Sequence, residues 1–262
     1  MTEHAPIDAT RARADALLAL HQGPKMLVLP NAWDAASARA FEAAGFPAIA
    51  TTSAGVAAAL GYGDHEQAPV EEMLAAARRI IRAVSVPVTV DFEAGYGLAP
   101  AEVAERLIAI GAAGLNFEDS DHHASGELVP AEIQADRLAA VKQASVAAGV
   151  PLVLNARVDV FLQRAGSLEE QLREGLHRAR LYREAGADCI YPIMLGDEAA
   201  IRALVEAVGV INVNVRRGGP LSLRQVSAMG VRRVTYAASL FREALTTVQD
   251  LARDVSEETQ RL

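Results

Sequence analysis

Residues 86–97 read VPVTVDFEAGYG. Valines 86, 88 and 90, with Thr89 between the last two, are good strand formers. The run nevertheless ends in Asp91, Phe92 and Glu93 and then a glycine-rich turn. Side chains two apart on a strand share a face. Thr89, Asp91 and Glu93 are therefore expected on one face, and Val88, Val90 and Phe92 on the other. The apolar face suits burial under helices. The polar face gathers carboxylates toward the strand's C-terminal end, which is where parallel α/β barrels place their chemistry.

The same pattern recurs on both sides of this stretch. Strands are expected at 26–30, 48–53, 87–93, 114–118, 152–158, 188–193, 210–215 and 233–237, with helical patterns between them. Gly45, Gly111, Gly149, Gly186 and Gly230 each follow an alanine- or leucine-rich turn, as a residue closing a helix should. Pro100 and Pro130 suit first helical positions. Ser167 with Glu170 reads as a capping box, and Asp34 reads as capping at a third helical position after Asn31. Eight strands alternating with helices in 262 residues point to an α/β fold, a (β/α)8 TIM-type barrel. It is expected as a single domain, residues 1–262, ending in a helix over 239–262. A doubly wound sheet would carry a glycine-rich phosphate loop after the first strand. LPNAWDAASAR stands there instead.

Parity extends to the neighbouring strands. Asn116 and Glu118 oppose Leu115 and Phe117; Asn155, Arg157 and Asp159 oppose Leu154, Ala156 and Val158. Asp91, Glu93 and Glu118 thus come from adjacent strands, with Asp64 near them from the loop after the second strand. Arg157 is the one cation of the set. Crowded carboxylates repel and raise one another's pKa. A divalent cation relieves this, and an all-oxygen donor set favours Mg2+ or Mn2+ over zinc. Salt bridges to arginines across the mouth are the alternative.

Composition narrows the classes. The chain is 51% hydrophobic and 22% charged, with a net charge of −8, which disfavours nucleic acid and anionic membrane surfaces as partners. Residues 43–63 carry no charge, but glycines, Pro47 and hydroxyl residues interrupt them, so no membrane span is expected. The lone Cys189 excludes an intrachain disulfide framework and fits a cytoplasmic protein. It is expected as a small buried hydrophobe. Lys25 begins the first strand and Lys142 lies in a helical pattern. Neither reaches a mouth, which disfavours a Schiff-base mechanism.

The segment DFEAGYG (91–97) resembles the metal-binding DxDxGYG segment of the isocitrate lyase and phosphoenolpyruvate mutase superfamily. Further matches follow in order: LPNAWDAASARAFEAAGFPAIATTSAGVAAALGYGD (29–64), GLNFEDS (114–120), NARVD (155–159) and LFREAL (240–245). Together they cover residues 25–245. The resemblance implies a modified (β/α)8 barrel, often a tetramer and hence a homo-oligomer, with Mg2+ at the mouth. It makes Asp91 the principal metal ligand, with Glu93 and Glu118 reaching the metal through water and Asp64 close by. Arg157 resembles the arginine that binds a substrate carboxylate and steadies an enolate. Thr52, Ser53 and Ala54 resemble the loop that holds the substrate's other end, and Asn212 a substrate-contacting asparagine.

The loop after the fourth strand, EDSDHHASGELVP (118–130), departs from the relatives. Isocitrate and methylisocitrate lyases carry a cysteine there within KKCGH or KRCGH, and the mutases carry lysine and asparagine; this loop has neither cysteine nor lysine. At the mouth of the sixth strand Ile193 stands where methylisocitrate lyases have glutamate and mutases have histidine. His122 and His123 are candidates for the missing proton donor, or else solvated loop residues. The expected function is a Mg2+-dependent lyase or decarboxylase that cleaves a C–C bond of a small 2-keto or 2-hydroxy di- or tricarboxylate through an enolate. A C–P bond enzyme (phosphonopyruvate hydrolase or phosphonomutase) and a non-catalytic dicarboxylate-binding barrel are the alternatives.

Overall fold

The structure, a computed structural model, describes residues 5–124 and 127–261; part of the histidine loop, residues 125–126, lies outside them. The chain begins with α1 (Ile7–Gln22), β1 (Leu27–Leu29), β2 (Asn31–Ala32), α2 (Ala35–Ala43), β3 (Ile49–Thr51) and α3 (Ser53–Leu60). It continues with α4 (Val70–Ala83), β4 (Val88–Asp91), α5 (Pro100–Ile110), β5 (Gly114–Glu118), α6 (Ala131–Ala147), β6 (Val153–Val158) and α7 (Val160–Gln163). It ends with α8 (Leu168–Glu184), β7 (Cys189–Pro192), α9 (Glu198–Val208), β8 (Asn212–Asn214), α10 (Leu223–Ala228), β9 (Arg233–Thr235) and α11 (Ser239–Gln260).

The strand pairings are parallel, in two runs, β2-β3-β4-β5-β6-β7 and β1-β9-β8. An Ile190–Ile211 bridge joins β7 to β8. At the other seam Pro30 separates β1 from β2. The first expected strand, 26–30, is thus cut back to β1 and pairing resumes in β2 beyond its expected end, because proline has no N–H for the ladder. Its carbonyl still accepts the Ala50 N–H at 3.0 Å, so the ring of a (β/α)8 barrel stays closed.

Leu115 and Phe117 of β5 enter the shell between strands and helices, beside Val103, Leu107 and Leu138. Asn116 and Glu118 point into the barrel, where they meet side chains of β4, β6 and β9. Burial does not alternate along β5, because a barrel strand is covered on both faces. The N-terminal end is plugged by α1, whose fully buried Leu17 packs on Leu27, Leu29, Ala48, Ala50, Ala113 and Val153. Gly114 makes that closure possible. A Cβ there would lie 2.4 Å from the Val153 carbonyl oxygen and 3.2 Å from Leu17.

Several boundaries differ from expectation. The third expected strand stops at Asp91, not Glu93, and the second stops at Thr51. Thr52 instead caps α3, accepting the Gly55 N–H at 3.4 Å, so residues 52–54 open a helix rather than a loop. Pro130 is the N-cap of α6, one position before the helix proper, and Asp34 is itself the N-cap of α2, in a capping box with Ser37. The Ser167–Glu170 box is present. The last helix ends at Gln260, and residue 262 lies outside the described residues. Among the described residues no helix is long and apolar enough to cross a membrane.

Candidate active site

Asp91, the last residue of β4, is held on several sides. Its Oδ2 accepts the Ser53 N–H at 3.0 Å and the Ser53 hydroxyl at 2.8 Å, and its Oδ1 accepts Asn116 Nδ2 at 3.1 Å. Its own N–H donates to the Thr51 hydroxyl at 2.8 Å. Asn116 cannot flip freely, because its Oδ1 takes Asn155 Nδ2 at 2.8 Å and Arg233 at 3.3 Å. That fixes its amide nitrogen toward Asp91.

Glu93 reaches the same region by a route that strand parity does not describe. It lies two residues beyond the strand end with φ +46°, so alternation no longer applies. Two loops hold it. Its Oε2 accepts the Glu66 N–H at 2.9 Å, and the Tyr96 hydroxyl donates to its Oε1. Glu66 in turn accepts the Tyr96 N–H at 2.6 Å. His65, Glu66, Glu93 and Tyr96 all adopt left-handed backbone. Such residues cost about 1–2 kcal/mol each and persist where surrounding contacts dictate them, often at functional sites. Burial, with the Asp91 and Asp64 carboxylates adding to it, pushes the Glu93 carboxyl up to about 7 against the Tyr96 and Glu66 donors. Asp64 is half-buried.

Glu118 ends β5 and is almost wholly buried; Arg157 of β6, its Cα partner, forms an ion pair with it. Burial raises the Glu118 carboxyl well above its usual range; Arg157 opposes this, and Asp159, Asp91 and Glu93 reinforce it. Arg157 is also forked by Asp159, Nε to Oδ1 at 2.7 Å and a terminal nitrogen to Oδ2 at 2.9 Å. Burial alone would lower the guanidinium; the carboxylates of Asp159, Glu118 and Asp91 outweigh it and hold it well above its usual value. Behind Asp159 lie the Ser120 hydroxyl at 2.6 Å and, through the Asp159 N–H, buried Asp119 at 2.8 Å. Asp119 is secured by Arg178 and Tyr182. Part of the alternative reading thus holds, since one carboxylate of the acidic set is ion-paired to an arginine.

His122 corrects the picture of solvated loop histidines. Its side chain is only 7% exposed; Nε2 lies 2.5 Å from Glu118 Oε1, and its ring packs 5.0 Å from that of His65. His123 is the exposed one, pairing with Glu66 at 2.7 Å. Of residues 52–54, Ser53 serves Asp91 rather than standing free, and Ala54 brings only backbone. Asn212 is fully buried; its Oδ1 accepts the Thr235 hydroxyl at 3.2 Å, while its Nδ2 is buried without a partner. Ile193 is buried just past β7. Cys189 is buried inside β7, and burial pushes its thiol up to about 12, as an inert core thiol should be.

Asp159, Glu66, Tyr96 and Arg233 join the network without a role expected from the sequence. Asp159 shares the face of Arg157 by parity, and that spacing was the available signal. Tyr96 lies inside the glycine turn of the motif. Nothing local distinguishes Arg233, a fully buried arginine whose contacts, His21 and Asn116, are far away in the chain.

The donor set can be tested against a divalent cation. Among the described residues no group of three His, Cys, Asp or Glu side chains is arranged to hold a metal by itself. A closed protein cage is therefore absent. The set consists of Asp91 and Glu118 at adjacent strand ends and Glu93 just beyond, and burial first, then the neighbouring carboxylates, pushes Glu93 and Glu118 toward protonation. It fits a hard cation held by one carboxylate and otherwise by water and substrate, the habit of Mg2+.

The family model described as phosphoenolpyruvate phosphomutase matches residues 17–256. A crystal structure of a Burkholderia cenocepacia J2315 protein, provisionally called a phosphonomutase, is 40% identical with TM-score 0.86, over 92% of this chain and 99% of that one. The 2-methylisocitrate lyase of Bacillus subtilis strain 168 is 30% identical over 237 residues, 86% of this chain and 75% of its own length. The structure of oxaloacetate acetylhydrolase in complex with the product oxalate is 26% identical with TM-score 0.82, over 95% of this chain and 87% of that one. By name these relatives include enzymes of small carboxylates, and the two solved structures share the fold described above. With that barrel, and with a family match across nearly its whole length, the chain belongs to the phosphoenolpyruvate phosphomutase family, within the PEP mutase/isocitrate lyase superfamily.

Proposed function

We propose that the protein is a Mg2+-dependent lyase or decarboxylase that cleaves a C–C bond of a small 2-keto or 2-hydroxy di- or tricarboxylate, of the oxaloacetate or methylisocitrate kind. The carrying observation is the gathering of Asp91 and Glu93 beside Glu118, itself ion-paired to Arg157, at and just beyond the C-terminal ends of adjacent strands. Asp91 would hold the cation directly, with Glu93 and Glu118 acting through water. When bound, the cation supplies Lewis-acid stabilisation of the negative charge that C–C cleavage leaves on the substrate. Mn2+ could substitute.

The chain's own residues supply the rest. Arg157, pre-oriented by Asp159, takes a substrate carboxylate and offsets developing charge. Of residues 52–54 at the start of α3, Thr52 and Ser53 already give their N–H groups to Ala32 and Asp91, so the Ala54 N–H is the one to favour the other carboxylate. Asn212 has an unused buried donor for a substrate oxygen. His122, packed on Glu118, delivers the proton to the departing fragment in place of the absent loop cysteine. His123 and Asp64 line the rim. The water-poor surroundings of Glu118 and Arg157 strengthen each of these interactions.

The deciding experiment is calorimetric titration of oxalate, first with Mg2+ and then with EDTA. Oxalate is planar and chelating, like an enolate of pyruvate, and so probes the shared step. Binding is expected only with Mg2+, weakened about tenfold or more in Asp91→Ala. Equal binding in EDTA, or none under either condition, would overturn the reading. A screen of keto and hydroxy diacids for pyruvate or glyoxylate release then identifies the substrate.

Similarity to the Burkholderia protein favours a second reading, C–P chemistry on phosphonopyruvate. The loop without lysine weighs against it, and phosphorus NMR of a phosphonopyruvate incubation separates the two.

A homo-oligomer is part of the same proposal. No residue of α11 is buried, and Leu245, Val248, Leu251 and Val255 are exposed within about a third of its circumference. Light scattering is expected to give a mass above the 27.7 kDa of one chain, falling toward that value in Val248→Glu/Leu251→Glu. An unchanged mass in the double variant would remove α11 from the interface.

A further inference from the structure

At the end of the barrel opposite the mouth, α1, α4 and α5 converge. α4 and α5 finish just before β4 and β5, so their last turns lie at the N-terminal ends of the strands. A cavity of about 380 Å3 opens there, walled by Arg13, Arg78 and Arg82 together with Pro6, Thr10 and Ile81. Among the described residues no acidic side chain lines it.

The side chains of the three arginines make no hydrogen bond or ion pair with any described residue. Arg78 shows this most sharply, because its Nε is buried without a partner. Leaving a desolvated guanidinium donor unpaired is costly unless something fills the site. Of the nearby acids, Glu71 and Glu102 are taken by Arg106 on the adjoining surface. Three cations without a partner among the described residues, gathered in one concavity, stand out on a chain of net charge −8. The first turn of α1 also borders the cavity; Pro6 is its N-cap and no side chain caps it, although Asp8 lies in that turn outside the lining. An uncapped helix N-terminus adds positive potential and free N–H groups.

We infer that this cavity binds a small, multiply charged oxyanion, a phosphoryl-bearing or di- or tricarboxylate metabolite, at a site separate from the mouth. Guanidinium forks match the paired oxygens of phosphate and carboxylate, and the volume lies within the range of small-molecule sites.

The test is calorimetry at low ionic strength without divalent cations, using pyrophosphate in one series and citrate in the other. The wild-type chain is expected to bind at least one of them. Arg78→Ala and Arg82→Ala are expected to weaken that binding about tenfold or more each. Arg39→Ala removes the same charge from an exposed position on α2 and is expected to leave it unchanged. Thermal melts establish that the variants remain folded; if Arg78→Ala unfolds, the exposed Arg82→Ala carries the test. Binding of pyrophosphate alone assigns a phosphoryl ligand, citrate alone a carboxylate ligand, and both the shared oxyanion class. No binding of either up to about 10 mM overturns the inference. So does an equal loss in Arg39→Ala, which would mean attraction by overall charge.

Discussion

Replacing Asp159 by alanine is expected to lower folding stability by about 3 kcal/mol, near the lower end for breaking a buried ion pair. Arg157 would keep Glu118 as its only carboxylate, and its Nε and one terminal nitrogen would lose their acceptor in a buried setting. The Ser120 hydroxyl would lose its partner as well. For a domain of this size the change corresponds to a fall in Tm of about 6–12 °C. Oxalate binding in the presence of Mg2+ should fall too, because the guanidinium is no longer steered by its fork. Denaturant unfolding and calorimetry read the two effects separately. A loss below about 1 kcal/mol would show that Glu118 alone suffices to hold Arg157.

Acidification is expected to weaken the fold through His21 at the opposite end of the barrel. Burial, helped by the nearby Arg233 cation and opposed by the bond to Leu17, lowers its pKa to about 4. Nδ1 lies 2.8 Å from the Leu17 carbonyl and must be the donor, which leaves Nε2 bare toward Arg233 at 3.5 Å. Above pH 6.5 the ring is neutral in both the folded and unfolded chain and nothing is lost. As the pH falls from about 6.5 to about 4 the unfolded chain takes a proton that the folded chain refuses. Over that window about 3 kcal/mol of stability disappears, and no more below it. Glu93, at about 7, and Asp119, raised to about 6 mainly by burial and by Asp159, act in the opposite sense. They are protonated first in the folded chain and so add stability as pH falls toward 4. The measurement is therefore a difference: urea unfolding of the wild type and His21→Gln in EDTA between pH 7 and 4. The wild type should lose about 3 kcal/mol relative to the variant across the window. Parallel profiles would mean that His21 is protonated in the folded state.

The barrel and part of the mouth were legible in the amino-acid order. β5 and β6 show why. Their alternation sends Leu115, Phe117 and Leu154 outward and Asn116, Glu118, Asn155 and Arg157 inward, as parity alone requires. Helix ends were legible for the same reason, since the capping box at Ser167 and Glu170 closes within four residues. The last residues of several strands were less legible. Nothing in the residue order told whether Thr52 would extend β3 or cap α3, nor that β4 would stop at Asp91.

Strand period and helix capping are properties of a few consecutive residues, set by backbone geometry, so the sequence by itself determined the element order, the barrel and the inward-facing Asp91, Glu118 and Arg157. Only the tertiary structure decided the rest. It brought Glu93 to the site through Glu66 and Tyr96 instead of strand parity, buried His122 on Glu118, and set Arg233 between His21 and Asn116. Each of those outcomes joins segments far apart in the chain or depends on burial created when the ring closes. Their energies come from desolvation and pairing, which no local pattern of residues contains.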